Sequence, residues 1–126
     1  MTLQEFFDDL CDRLELFVVE RGAIVPFATL FDATGELEHI YYDPGGPLEA
    51  GWRDFVLERC LDAASRRGWR FAALVWMPNE TAISALIASS DDCFLASFVI
   101  SQQCGGFRLS DPEFHRAPNF LTSKVF

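Results

Sequence analysis

Basic residues are scarce in this chain: ten Lys and Arg stand against nineteen Asp and Glu over 126 residues. A field of that sign repels phosphate backbones, whose binding relies on Lys and Arg displacing condensed counterions, so ordinary nucleic-acid binding is disfavoured and no such partner is expected. Long apolar runs are absent as well. None reaches the roughly 18–20 residues a bilayer-spanning helix needs, and the opening MTLQEFFDDLCDRLE has acids where a secretory leader carries a basic start and an apolar stretch. No membrane partner is expected, and the chain reads as cytoplasmic.

Histidine occurs twice, and the four cysteines, Cys11, Cys60, Cys93 and Cys104, include no C-x2-C pair. Structural zinc sites use that close pairing to seat two ligands on one turn, so no metal site is expected. A reducing compartment keeps thiols free, which removes the disulfide reading. Gly45 and Gly46 precede a helix-like segment, but no Lys, Ser or Thr follows at P-loop spacing, so neither a phosphate loop nor a cofactor is expected.

Nucleophilic catalysis needs a Ser or Cys with a base in reach. His39 lies in a predicted strand beside Glu38, whose side chain points to the other face. That leaves one nucleophile and base pair that the chain order permits, Cys104 with His115, both beyond the last predicted strand. No nucleophile signature surrounds either residue, so the chain is not expected to be an enzyme. Asp8-Asp9 and Asp91-Asp92 are consecutive acids, which diverge on a helix and serve solvation in a turn.

What the chain does have is apolar mass: half its residues are hydrophobic and thirteen are Phe, enough for one α+β domain over 1–126. Thr2 and Glu5 form a capping box, and Leu3, Phe6, Phe7, Leu10, Leu14, Phe17 and Val18 follow at helical spacing, which predicts a helix over 2–20 closed by Gly22. Two β-rich runs flank Ala33-Thr34-Gly35 and predict a hairpin over 25–42. A second helix over 48–67 starts near Pro47 and stops at Gly68, with Cys60 in its apolar stripe.

Three strands joined by the turns PN and SDD predict a meander over 69–101, and residues 102–126 read as an irregular tail in which SDPEFHR suits a short helix. The expected fold is therefore a five-stranded, mainly antiparallel sheet with helices on one face, the other face being partly covered by the tail or a second copy. Trp52, Trp69, Trp76, Tyr41 and Tyr42 are either core or contact surface.

Charge is segregated along the chain. Residues 1–50 hold eleven acids and two arginines, whereas 51–126 hold eight acids and eight bases, so the whole net charge of −9 arises in the first part. An acidic surface either keeps a Phe-rich protein soluble or favours fast encounter with a basic partner. The acids available for such a contact are Glu5, Asp8, Asp9, Asp12 and Glu15 on the first helix and Asp32, Glu36, Glu38 and Asp43 around the hairpin.

The order helix, two strands, helix, three strands resembles that of roadblock and longin-type modules. That resemblance, one of topology alone over residues 2–101, implies a sheet ordered 2-1-5-4-3 between helices and assembly through an edge strand or a helix. Three functional expectations follow. The first is an acidic module that binds a basic protein, in its specific version a bacterial immunity protein neutralising a basic toxin. The second is a homodimeric regulatory or scaffold module, and the third is a small enzyme built on Cys104 and His115.

Overall fold

A computed structural model describes residues 1–42 and 51–119 of the chain. The elements run α1 (Leu3–Arg21), β1 (Phe27–Asp32), β2 (Leu37–Tyr41), α2 (Trp52–Arg67), β3 (Trp69–Asn79), β4 (Ala82–Ser89), β5 (Cys93–Gln103), β6 (Gly106–Leu109) and β7 (Glu113–Arg116). Helix α1 opens with the expected capping box, Thr2 Oγ1 accepting from the Glu5 N–H and Glu5 Oε1 from the Thr2 N–H. It closes on Gly22, whose φ of 68° is the left-handed conformation that glycine adopts at low cost. The start expected for α2 at 48 lies outside the described residues; within them Gly51 is the N-cap.

All seven strands pair antiparallel in the order β2-β1-β3-β4-β5-β6, with β7 also paired to β5. The general α+β class matches the sequence reading, while three of its details are corrected. The described residues hold seven strands rather than five. The order is not 2-1-5-4-3, because β1 is bordered by β3 and not by β5. One residue, Gly68, joins α2 to β3, and Arg67 at the end of α2 pairs with Asp32 at the end of β1. A link that short leaves β3 to start beside Asp32, its register partner at Trp69.

The third correction concerns the layers, since a helix covers each face of the sheet. On one face α1 packs Phe6, Leu10, Leu14 and Val18 against Phe27, Val75, Ile83, Ile87 and Phe98. On the other, α2 packs Val56, Cys60, Ala63 and Ala64 against Ala28, Leu30, Ala72 and Leu74. Side chains alternate between faces along a strand, so β1, covered on both, is buried at all six positions. Each large apolar side chain so buried stabilises the fold by about 1.5–3 kcal/mol relative to exposure.

The tail is not irregular over its described length. Cys104 and Gly105 turn the chain, Gln103 pairs with Gly106, and β6 and then β7 run back along β5. Segment 113–116 is a strand rather than part of a short helix, because pairing with β5 places Phe114 against both Phe7 and Phe94. Among the described residues no helix is long and apolar enough to cross a membrane.

Candidate protein-binding face

The residues that fill the core from α1 occupy one side of that helix, which leaves Glu5, Asp8, Asp12, Glu15 and Glu20 exposed on the other. Glu5, Asp8, Asp12 and Glu15 recur at spacings of three and four, so they form one continuous row. Helices gain nothing from such a row, since like charges at these spacings repel by about 0.2–0.5 kcal/mol per pair. Two of the acids have local roles. The Glu5 carboxylate is held below its usual range chiefly by the Thr2 backbone N–H, and Asp8 Oδ1 accepts from Gln4 Nε2 at 2.8 Å.

The sequence pattern also left two apolar residues of α1 outside the buried stripe, Leu16 and Val19, and they are 64% and 55% exposed. Helical spacing sets Val19 one turn beyond Glu15 and Leu16 one turn beyond Asp12. The sequence reading missed them, although the signal was present: apolar residues that a helix does not spend on its core are available for contact. Acids around exposed apolar side chains suit a basic, partly apolar partner surface.

The field of this row acts on Cys11 beneath it. Burial first, and then the charges of Asp8, Asp12 and Glu15, push the Cys11 thiol up to about 11. Asp9 stands apart from the row, half-buried and ion-paired at 3.5 Å with Arg13. Arg13 Nη1 in turn donates to His39 Nδ1 at 2.5 Å, and the Thr29 hydroxyl reaches the same nitrogen at 2.9 Å. With Nδ1 accepting, the proton of the neutral ring is assigned to Nε2. Burial, followed by the Arg13 charge, lowers the His39 pKa from its usual 6.5.

The described hairpin acids, Asp32, Glu36 and Glu38, differ in their surroundings. Asp32, 1% exposed, is turned inward: its Oδ1 accepts from the Thr34 N–H at 2.9 Å, the Thr34 hydroxyl at 2.6 Å and the Glu36 N–H at 3.0 Å. Its Oδ2 faces Arg67 Nη1 at 3.5 Å. The Thr34 hydroxyl first, then the Glu36 N–H, hold this carboxyl below its usual range, so Asp32 organises the turn and is no surface contact. Glu38 meets Arg67 in an ion pair, Glu36 is exposed in the turn, and Asp43 lies outside the described residues.

Cys104 and His115 are not brought together. Cys104 is exposed at the β5–β6 turn, whereas His115 lies opposite Leu95. Leu95 and Gln103 stand eight positions apart on β5, about 26 Å of extended strand. Cys93 is buried at the start of β5, Cys60 is buried within α2, and Cys11 is half-buried on α1. Among the described residues no group of three His, Cys, Asp or Glu side chains is placed to hold a metal ion.

No protein-family model, curated protein sequence or solved structure matches the chain.

Proposed function

We propose that this protein is a cytoplasmic protein-binding module whose α1 outer face engages a basic partner. The observation that carries the reading is the exposure of Leu16 and Val19 within the row Asp8, Asp12, Glu15 and Glu20. Charge steers and orients the encounter, and the two apolar side chains supply surface whose removal from water stabilises the complex. In its specific form the partner is a basic toxin and the chain is its immunity protein. Small size and concentration of charge on one helix support that form, which requires no chemistry from this chain.

The test is an affinity capture from host lysate with three baits: wild type, an Asp8→Asn, Asp9→Asn, Asp12→Asn, Glu15→Gln variant, and a Leu16→Ser, Val19→Ser variant. Circular dichroism establishes that all three are folded. The expected result is a basic protein retained by wild type, lost from both variants and released as salt rises. The same proteins recovered with all three baits would make the acidic row a solubility device and end this reading.

A further inference from the structure

We infer that the outer edge of β2 is a self-association surface, on which a second copy of this chain pairs its own β2 antiparallel about a twofold axis through His39. The backbone sets the geometry. The Tyr42 N–H donates to the Pro26 carbonyl and the Asp32 N–H to the Glu36 carbonyl, so the even-numbered residues of this strand turn their polar groups toward β1. By alternation, Leu37, His39 and Tyr41 direct their N–H and C=O groups outward. Among the described residues no strand lies beyond them.

The two edges of the sheet are built differently. The far edge consists of β6 and β7, four residues each and separated by Ser110, Asp111 and Pro112, with Pro118 shortly after. Short strands, prolines and interruptions are the devices by which proteins prevent a sheet edge from pairing. The β2 edge, Leu-Glu-His-Ile-Tyr, has no Lys, Pro or bulge. Instead it exposes apolar surface: Leu37 is 37% and Tyr41 40% exposed, with Val25 and Phe55 also exposed nearby. Val25 and Tyr41 line a mainly apolar cleft of about 380 Å³ on the α1 side, whereas the cleft of about 460 Å³ on the α2 side sets Tyr41 and Phe55 among Glu38, Arg59, Asp62 and Arg66.

Two features select an identical copy as occupant. First, the strand is self-complementary. Leu37 and Tyr41 lie two residues to either side of His39, so the twofold sets Leu37 opposite Tyr41 of the other copy at both ends, an aliphatic side chain against an aromatic one. The three outward-facing pairs then exchange about six backbone hydrogen bonds, two per pair. Second, the rim is locally neutral. Asp9 with Arg13, Asp62 with Arg66 and Glu38 with Arg67 are each ion-paired within the chain, so neither a strongly basic nor a strongly acidic strand is favoured. The acidic outer face of α1, by contrast, would repel its own copy.

The proposal is tested by sedimentation velocity of the full chain over a micromolar to millimolar concentration series, with Leu37→Lys and Val99→Lys variants. Val99 is 57% exposed but lies on a sheet face rather than at the edge. Expected are a reversible dimer for wild type and for Val99→Lys, and a dissociation constant raised at least about tenfold by Leu37→Lys, a gatekeeper at an edge strand. Amide exchange of wild type gives a readout independent of any variant. The N–H groups of Leu37, His39 and Tyr41 become protected as concentration rises, while those of Glu38 and Ile40, already bonded to β1, do not change. A wild type that stays monomeric throughout, or a dimer that survives Leu37→Lys with no concentration-dependent protection at 37, 39 and 41, overturns the proposal.

Discussion

Substituting Gly22 by Ala probes how the end of α1 is packed against β6. Gly22 has φ 68° at the end of α1, and a Cβ built there would stand 2.6 Å from Cζ of Phe107, on β6. Two costs arise. A residue with a Cβ in the left-handed conformation is disfavoured by roughly 1–2 kcal/mol. Displacing a packed ring costs about 1–3 kcal/mol more, as overpacking does in other cores. The expected loss is therefore about 2–5 kcal/mol by urea denaturation. Gly105→Ala isolates the first cost, because Gly105 also has positive φ, 88°, yet nothing lies within 4 Å of its added Cβ. The second is isolated by a cycle with Phe107→Ala: once the ring is gone, Gly22→Ala should cost only the backbone term. Equal losses for Gly22→Ala and Gly105→Ala, with additivity within about 0.5 kcal/mol in the cycle, would refute the packing of β6 on α1.

Two further outcomes follow from the titratable groups. A thiol reagent at mildly alkaline pH should label Cys104 quickly and Cys11 slowly, since Cys11 is pushed up to about 11; Asp8→Asn, Asp12→Asn, Glu15→Gln should speed Cys11 labelling, and Cys60, buried and near 12, should stay unreactive until unfolding. Stability should fall as pH drops from 7 through the usual histidine value of 6.5, because the unfolded chain takes up the His39 proton before the folded one does; the loss ends below the depressed folded value, and His39→Gln should flatten this limb of the urea midpoint.

The features legible in the sequence were those whose causes are local. The capping box, the left-handed Gly22 and the loop 33–35 are written in three to five consecutive residues, and each stands where expected. Strands β6 and β7 were not legible, because four residues are too few to establish a period of their own. They are strands because Phe107 reaches the end of α1 and Phe114 reaches Phe7 and Phe94. Asp32 was taken for a surface acid for a similar reason. One of its partners, Arg67, is thirty-five positions away, and the turn N–H groups it accepts from become donors only once the hairpin has formed. Leu16 and Val19 were readable in principle, since the helical period that assigns the core stripe also assigns what it leaves out.

Ionic strength separates the two proposed surfaces by the sign of its effect. The outer face of α1 carries the exposed acids Glu5, Asp8, Asp12, Glu15 and Glu20, while Asp9, Glu38 and Asp62 near β2 are ion-paired within the chain. Pairing β2 with β2 about an axis perpendicular to the sheet keeps the two α1 helices on the same side, so two acidic faces repel across the dimer. Salt shortens the reach of that repulsion, to about 10 Å at 0.1 M, and should tighten the dimer. The same screening removes the attraction that steers a basic partner to α1, so that complex should weaken. The Asp8→Asn, Asp12→Asn, Glu15→Gln variant, which leaves the Asp9–Arg13 pair beside β2 intact, should then dimerise more tightly than wild type at low salt and lose the advantage at high salt. A dimer that weakens with salt in wild type and variant alike would mean that its contacts are ionic, and would place its interface somewhere other than the β2 edge.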